Sequence, residues 1–247
     1  MQRVAVTGAS GVIGRRLCPD LSQSYEIVRL DRADADINLD ITDLARLKGA
    51  LAGCQAVIHL AASVSPQSPW QDVERNNIDG TYKVFEAARQ AGCQRVIFAS
   101  SHHVVGMYNK MPHPAADGES RAPLGADLPP RPDSLYAVSK VFGEALGRYY
   151  SDNFGMRVAC IRIGAVTETD SPVPRRSMLP WKRDAAAEKR MAAKWLSHRD
   201  LAGLIRAVLA SDVSFAVVYA VGDNKGRFLD LAPAREIFGH FPLDGSR

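Results

Sequence analysis

The most constraining feature of this chain is its first stretch, MQRVAVTGASGVIGRRL, in which an apolar run precedes three evenly spaced glycines. The run Val4–Thr7 predicts a buried strand, and Gly8, Gly11 and Gly14 follow it. Such a turn lets the backbone approach a pyrophosphate, which the N–H groups at the start of the next helix bind. A tight strand-to-helix turn would need the same glycines, so the rest of the chain must decide between the two explanations.

Apolar runs suited to buried strands alternate with helical patterns along the chain. Strands are predicted at 4–7, 26–30, 56–61, 95–100, 158–163 and 216–221, and helices at 11–22, 43–51, 73–91, 134–154 and 199–211. Because parallel strands need crossover connections, this alternation predicts an α/β fold with a doubly wound parallel sheet of the Rossmann type. We expect a single domain over 1–247, with 1–163 mainly a dinucleotide-binding core and 164–247 mainly a small C-terminal substrate lobe with the last core strand.

Two long irregular stretches interrupt this alternation. Residues 105–133 are rich in Pro and Gly, and residues 164–185 are rich in Pro and Arg. Both stretches follow predicted strands, so both should lie at the carboxyl edge of the sheet. Open α/β sheets bind their ligands at that edge, and we therefore expect both stretches to border the binding site.

Composition narrows the classes of function. The 247 residues carry 31 Lys and Arg against 27 Asp and Glu, and this net charge of +4 is too small to indicate a nucleic-acid partner. No apolar run reaches the roughly 18 residues of a membrane span, and the chain turns polar by Thr7, so we expect no membrane anchor, no signal peptide and a cytoplasmic location. The four cysteines and six histidines show no metal-ligand spacing, so no metal is expected.

Positive charge is concentrated between Asp170 and Lys194. This segment contains seven basic and three acidic residues, so its net charge equals that of the whole chain. An anionic ligand could bind there, or the segment could be a solvated basic loop. The basic residues are Arg175, Arg176, Lys182, Arg183, Lys189, Arg190 and Lys194.

The end of the second predicted strand carries a further signal for a cofactor. An acidic side chain about 20 residues after the glycine turn can accept hydrogen bonds from both hydroxyls of an adenosine ribose, and it repels a 2′-phosphate. Asp31 therefore favours NAD over NADP, although Arg32 beside it could stack on adenine or tolerate a phosphate. Asp40 and Ile41 could flank the adenine, or Asp40 could cap the following helix.

The segment SLYAVSKVFGEAL carries the strongest signal for catalysis. Tyr136 and Lys140 are four residues apart in a helical pattern, which places both on one face. A free tyrosine titrates at about pH 10, so Tyr136 becomes a base at neutral pH only if a cation, Lys140 or an oxidised nicotinamide ring, lowers its pKa. Ser101, at the end of the fourth predicted strand, could hold a substrate oxygen against the Tyr136 hydroxyl.

A series of motifs covers nearly the whole chain: TGASGVIG, Asp31, HLAA at 59–62, NNIDGT at 76–81, FASS at 98–101 and YAVSK at 136–140. In this order they resemble the extended branch of the short-chain dehydrogenase/reductase superfamily, the NAD-dependent epimerase/dehydratase family. The resemblance implies a catalytic group of Ser101, Tyr136 and Lys140, with Asn77 positioning a water near Lys140. It implies NAD as the cofactor, bound by Gly8, Ser10, Gly11, Val12, Ile13, Gly14, Asp31, Arg32, Asp40, Ile41, Leu60, Ala61, Ala62, Tyr136, Lys140 and Ile163.

A further set of motifs resembles the uronate dehydrogenases and related NAD-dependent sugar dehydrogenases: SSHHVVG (100–106), PPRPDSLYAVSK (129–140), RIG (162–164), RMAAKWLSHRD (190–200) and LDLAPAREIFG (229–239). This resemblance implies that His103 binds substrate and that Arg190 binds its carboxylate. The chain departs from the pattern at His102, where the family usually has Asn, and at Ala165, where it has Ser. The implied substrate-binding residues are Ser63, Ser65, Ser101, His102, His103, Tyr136 and Arg190.

Together these resemblances imply an NAD-dependent oxidoreductase that oxidises the anomeric C1 hydroxyl of a uronic acid or aldose to a lactone. The alternatives are a hexose-phosphate dehydrogenase, which the basic segment would suit, and a sugar-nucleotide epimerase or dehydratase, for which the chain is short. A non-catalytic NAD-sensing protein would not need the three catalytic residues. The superfamily commonly pairs helices such as 73–91 and 134–154 between subunits, so we expect a homo-oligomer that acts on an anionic sugar.

Overall fold

The sheet contains seven strands in the part of the chain that the computed structural model describes, which is residues 1–109, 123–172 and 185–246. They are β1 Arg3–Thr7, β2 Glu26–Asp31, β3 Ile37–Asn38, β4 Ala56–His59, β5 Arg95–Ser101, β6 Arg157–Ile163 and β7 Phe215–Ala220. All neighbours pair in parallel, in the order β3-β2-β1-β4-β5-β6-β7. The expected doubly wound α/β fold is confirmed.

Helices connect these strands in sequence. They are α1 Gly14–Leu21, α2 Leu44–Ala50, α3 Trp70–Asp72, α4 Gly80–Gln90, α5 Leu135–Phe154, α6 Ala185–Ala192, α7 His198–Ala210 and α8 Ala232–Phe238. A π-helix over Val73–Asp79 joins α3 to α4, and a 3₁₀ segment over His102–Asn109 follows β5. The two longest helices of the described chain, α5 and α7, are capped by Ser134 and Ser197, whose hydroxyls accept hydrogen bonds from N–H groups of the first turn.

The sheet is buried on both faces because alternate strand residues point to opposite sides. Val4 and Val6 of β1 belong to one core with Leu17 of α1, and α7 contributes to the same core. Ala5 belongs to the opposite core, to which α2, α4 and α5 contribute side chains that include Phe85 of α4. A helix layer therefore covers each face, as a doubly wound sheet requires.

The strand order reverses between β1 and β4. The chain proceeds outward from β1 to β3, then crosses back and continues from β4 to β7. Connections leave this point in opposite directions, which opens a crevice at the carboxyl ends of the strands. The turn after β1 and the segment 60–62 after β4 both lie at this crevice.

The structure differs from the sequence expectations in several elements. Helix α1 begins at Gly14 rather than residue 11, because residues 8–13 form the turn. The predicted helix 73–91 begins as the π-helix, and β3, α6 and α8 were not predicted. A third hydrophobic cluster links Val104 and Val105 to Leu229 and Leu231 near the C-terminus. The proposed boundary between core and substrate lobe at 163/164 stays a prediction.

Within the described ranges, no helix is long and apolar enough to cross a membrane. No group of three His, Cys, Asp or Glu side chains in those ranges could hold a metal ion. The four cysteines are free thiols, and all of them are buried.

Candidate functional site

A cleft of about 810 Å³ lies at the carboxyl edge of the sheet, over the point where the strand order reverses. Every residue predicted to bind the cofactor lines this cleft. Of the residues predicted to bind substrate, five line it, namely Ser63, Ser101, His102, His103 and Tyr136. Ser65, Arg190 and Asn77 are not among the residues that line it. The sequence motifs therefore converge on one site, but three predicted members stand outside its wall.

The glycine turn has the geometry that a close approach of backbone to ligand needs. Gly8 has a φ of +73°, and a Cβ at this position would lie 2.6 Å from the backbone nitrogen of Ala61. A Cβ on Gly14 would lie 2.5 Å from the carbonyl oxygens of Gly8 and Ala9. No side chain caps the start of α1, and residues 11–14 line the cleft, so the positive end of the helix dipole is open to an anion. These features fit the pyrophosphate of a dinucleotide.

Asp31 has a structural role that the sequence analysis did not anticipate. Its two carboxylate oxygens accept hydrogen bonds from the backbone N–H groups of Ser10, at 2.9 Å, and Arg32, at 2.7 Å. The Ser10 hydroxyl in turn donates to the carbonyl oxygens of Ala33 and Asp34, each at 2.9 Å. Asp31 thus fixes the glycine turn against the end of β2 while it lines the cleft.

Asp40 is fixed by local hydrogen bonds. It accepts from the backbone N–H and the hydroxyl of Thr42, at 2.9 and 2.8 Å, and pairs with Arg75 at 2.7 Å. The hydrogen bonds from Thr42 and the charge of Arg75 hold the pKa of Asp40 below its usual range. The cap of α2 is Asp43, which accepts from the N–H of Arg46. Asp40 therefore ties the turn before α2 to the π-helix at the adenine end of the cleft.

Ser101, Tyr136 and Lys140 come together at the inner end of the cleft. Ser101 ends β5, and α5 carries Tyr136 and Lys140 on one face, as predicted. Tyr136 is 8% exposed and Lys140 is 4% exposed. A hydrogen bond from Ser101 reaches the phenol, and the Lys140 Nζ lies 4.9 Å from the ring centre of Phe98 and 5.6 Å from that of Tyr136.

Burial is the main cause of the pKa shifts of Tyr136 and Lys140. Burial raises the pKa of Tyr136, against the opposing effect of the Ser101 hydrogen bond, and it lowers the pKa of Lys140 to about 7. The expectation that Lys140 or an oxidised nicotinamide ring lowers the pKa of the phenol stays a prediction. The Lys140 ammonium faces the rings of Phe98 and Tyr136, and burial disfavours its charged form. Formation of a Tyr136 phenolate therefore needs further positive charge nearby.

Asn77 is used to position the backbone beside the cleft. Its amide oxygen accepts from the N–H of Ser63 at 2.7 Å, and its Nδ2 donates to the carbonyl of Ser63 and the hydroxyl of Ser139, both at 3.0 Å. Ser139 adjoins Lys140 on α5. The π-helix presents the neighbouring Asn76 to the cleft, where its Nδ2 donates to the Ser63 hydroxyl at 2.9 Å.

The two histidines after β5 have different partners. The Nδ1 of His103 lies 2.9 Å from a carboxylate oxygen of Asp133, and the ring meets Tyr136 edge-on with 6.2 Å between ring centres. The Nδ1 of His102 lies 3.2 Å from the carbonyl of Ile163, and its Nε2 lies 3.1 Å from the Nζ of Lys194. Burial holds the pKa of His102 well below its ordinary value, so the neutral ring donates from Nδ1 and accepts at Nε2.

Sequence reasoning missed three side chains at the substrate end. Lys194 and Met191 line the cleft. Asp133 does not line it, but its carboxylate contacts the Nδ1 of His103. The basic segment contained Lys194, but nothing in its spacing singled it out. Arg190 is exposed on α6. Lys189 is also exposed, and Arg175, Arg176, Lys182 and Arg183 lie outside the described residues.

A buried ion pair supports the site from below. Glu144 of α5 binds Arg162 of β6 through two contacts of 2.8 Å, and it accepts from the Ser100 hydroxyl at 2.5 Å. Arg162 also donates to the carbonyl of Ala126 at 3.1 Å and to the hydroxyl of Tyr219 at 3.2 Å. The catalytic helix is thereby fixed to β5, β6 and β7.

Comparisons with known proteins agree with this geometry. Residues 4–223 match the NAD dependent epimerase/dehydratase family, and the chain belongs to that family. The expectations of this family and of NAD as its cofactor are confirmed.

Three relatives illustrate the range within the family. The chain is 38% identical to the L-arabinose 1-dehydrogenase (NAD(P)(+)) of Haloferax volcanii, over 100% of this chain and 98% of the relative. It is 35% identical to the NAD-dependent glucose-6-phosphate dehydrogenase of the same organism, over 99% and 94%. A solved uronate dehydrogenase from Agrobacterium tumefaciens, in complex with NAD, matches with a TM-score of 0.81 and 32% identity, over 99% of this chain and 86% of that one.

Proposed function

We propose that this protein is an NAD-dependent sugar dehydrogenase that oxidises the anomeric C1 hydroxyl of a cyclic sugar to a lactone. The observation that carries the proposal is the buried group of Ser101, Tyr136 and Lys140 at the inner end of a cleft whose outer end is the glycine turn. The similarity to relatives named as dehydrogenases of arabinose, glucose 6-phosphate and uronate supports a sugar as the substrate.

The residues of the cleft suit the cofactor. The turn at Gly8 and the uncapped start of α1 would hold the pyrophosphate, Asp31 the adenosine ribose, and Lys140 the nicotinamide ribose. When bound, NAD supplies the hydride acceptor and a positive ring. We propose that Asp31 favours NAD over NADP because its carboxylate would repel a 2′-phosphate.

In the proposed reaction, Tyr136 removes the proton of the C1 hydroxyl while the hydrogen on C1 leaves with its electron pair. A C1–O double bond forms, and the proton stays on the Tyr136 oxygen. Ser101 donates a hydrogen bond that orients the hydroxyl and stabilises charge on the phenol. The positive charge of Lys140, together with that of the bound cofactor, opposes the rise in the Tyr136 pKa that burial causes.

The test is NADH formation by purified protein with NAD across galacturonate, glucuronate, glucose, galactose, arabinose and glucose 6-phosphate. We expect Tyr136→Phe to lower kcat by about 1000-fold, since general base catalysis contributes effects of this size, and to leave the Kd for NAD unchanged. Tyr149→Phe is the matched control, because Tyr149 lies on the same helix and is exposed.

Three results would contradict the proposal. Full activity of Tyr136→Phe would remove that residue as the base. Conversion of a sugar nucleotide to an isomer without release of NADH would favour the epimerase alternative. If no sugar gives NADH although NAD still binds, a non-catalytic NAD-sensing protein would be favoured.

A second candidate, a hexose-phosphate dehydrogenase, is favoured by Lys194 in the cleft wall and by the relative that is named for glucose 6-phosphate. We propose that the substrate is anionic in either case. We also propose a homo-oligomer that acts in the cytoplasm. Exposed apolar side chains on α4 and α5 support the oligomer, namely Tyr82, Leu135, Val138, Tyr149 and Phe154. Sedimentation of the purified protein would check the oligomeric state.

A further inference from the structure

Lys194 lies where a substrate would be expected, at the end of the cleft opposite the glycine turn. Its backbone carbonyl accepts from the N–H of Ala165 at 2.7 Å, which fixes the residue beside the segment that follows β6. Its side chain lines the cleft. The Nζ lies 3.1 Å from the Nε2 of His102. Lys194 is thus positioned in the cleft both by its backbone carbonyl and by its Nζ.

The partner of Lys194 leaves its charge uncompensated. His102 uses Nδ1–H to donate to the carbonyl of Ile163, so its Nε2 accepts a hydrogen bond as a neutral ring. Asp133 also attracts Lys194, and its two carboxylate oxygens lie 3.0 and 2.9 Å from the Nδ1 of His103. An ammonium has three N–H groups, so Lys194 has N–H groups to donate besides the one directed at His102.

Burial and the nearby charge of Arg190 lower the pKa of Lys194, whereas Asp133 raises it. The first two effects make the charged lysine costly in the absence of an anion. A carboxylate or phosphate within the cleft would relieve that cost. Surface lysines without such burial do not gain in this way.

Arg190 is differently placed. It is exposed on α6, and it is not among the residues that line the cleft. Ala165, which also lines the cleft, has no polar side chain to offer an anion. In the described part of the chain, Lys194 is thus better placed than Arg190 to meet a substrate in the cleft.

A series of side-chain contacts connects Lys194 to the catalytic group through His102 and His103. The ring of His102 lies 4.2 Å from that of His103, and the ring of His103 lies 6.2 Å from that of Tyr136. A sugar with C1 at Tyr136 would lie along these rings, with a substituent on its far side directed toward Lys194.

We propose that Lys194, held in place by His102, is the anchor for the anionic group of the substrate and sets a preference for a sugar carboxylate or sugar phosphate over a neutral sugar. This inference rests on the proposed function and deepens it. A carboxylate and a phosphate share the chemistry that an ammonium recognises, and the arms of the experiment separate them.

The experiment compares Lys194→Met with Lys194→Arg, with Arg190→Met and with the exposed control Lys189→Met. Galacturonate is paired with galactose, and glucose 6-phosphate with glucose. We expect Lys194→Met to raise the KM of the anionic sugar about 30-fold, the usual size of a lost hydrogen bond to a charged group, and to change the neutral sugar less than about twofold. Lys194→Arg should restore most of the loss, and Lys189→Met should change neither KM.

The pair that responds identifies the anion. If Lys194→Met raises the KM for galacturonate alone, the anchored group is a carboxylate. If it raises the KM for glucose 6-phosphate alone, the anchored group is a phosphate. Equal losses on anionic and neutral sugars would overturn the inference, as would a loss in Arg190→Met with none in Lys194→Met.

Calorimetric titration separates failure of this inference from failure of the proposed function. Galacturonate and inorganic phosphate are titrated into the protein with NADH bound. If no sugar is oxidised, the proposed function fails, yet weaker binding of either probe to Lys194→Met than to Lys189→Met still supports the anchor. Binding that is equal in the two variants, or undetectable in the unmutated protein, overturns it.

Discussion

The two ends of the cleft are built in different ways. The cofactor end is formed by a short contiguous turn, residues 8–14, whose backbone geometry is fixed by glycines and by one carboxylate. The substrate end is formed by side chains from separate segments, with His102 and His103 after β5, Asp133 before α5, and Lys194 after α6. Backbone recognition depends on a local motif, whereas side-chain recognition depends on how distant segments pack. The first end should therefore tolerate few substitutions, and the second should be adjustable one contact at a time.

Among the substitutions that test this comparison, Gly8→Ala should have the largest effect. The added Cβ would lie 2.6 Å from the backbone nitrogen of Ala61, and the φ of +73° is unfavourable for any side chain. The turn must shift, and we expect the Kd for NAD to rise at least about 100-fold, measured by fluorescence titration. Gly92→Ala is the matched control, because Gly92 has a φ of +77° and an added Cβ would meet nothing within 4 Å.

The control separates backbone strain from the close contact. If Gly92→Ala and Gly8→Ala both remain folded by circular dichroism, only the second should lose NAD. Unchanged NAD affinity in Gly8→Ala would show that the cofactor end is as adjustable as the substrate end and would break the comparison.

A smaller effect is expected from Asp133→Ala. His103 would lose the carboxylate that fixes its orientation 2.9 Å from Nδ1. We expect kcat/KM for the best sugar to fall about 30-fold, which is the usual cost of a hydrogen bond to a charged group, with the Kd for NAD unchanged. Asp127→Asn is the control, because Asp127 is exposed in the same segment. A parallel loss of NAD affinity would show that the two ends are not independent.

The smallest effect is expected from Asp31→Ala. The ratio of kcat/KM for NAD to that for NADP should fall about 10-fold, because removal of the carboxylate removes both ribose hydrogen bonds and repulsion of a 2′-phosphate. Asp36→Ala lies in the same loop without lining the cleft and should leave the ratio unchanged. An unchanged ratio in Asp31→Ala would restrict Asp31 to its observed contacts with Ser10 and Arg32.

Much of the fold could be predicted because buried parallel strands and amphipathic helices leave clear patterns. All six predicted strands and all five predicted helices are present within a few residues. The missed strand β3 has two residues, which is too short for periodicity to identify it, and the helices α3, α6 and α8 were also missed. The π-helix was also missed, because its sequence pattern resembles that of the α-helix that continues it.

The site was predictable to the extent that its residues are close in sequence. The glycine turn and the spacing of Tyr136 and Lys140 could be recognised because each lies within one element. The pairing of Asp133 with His103 spans 30 residues and that of Lys194 with His102 spans 92, so both depend on tertiary packing. The effect of burial on the pKa of Tyr136 could not be predicted for the same reason, since the degree of burial is a property of the whole fold.

The π-helix at Val73–Asp79 has an evolutionary consequence. A π-helix holds one more residue in a turn than an α-helix of the same rise, and it presents Asn76 to the cleft while Asn77 binds Ser63 and Ser139. Deleting one residue here would restore α-helical geometry and rotate the preceding side chains by about 100° relative to α4. Substitutions can therefore accumulate in this segment, but its length is constrained, and related sequences should show gaps on either side of it rather than within it.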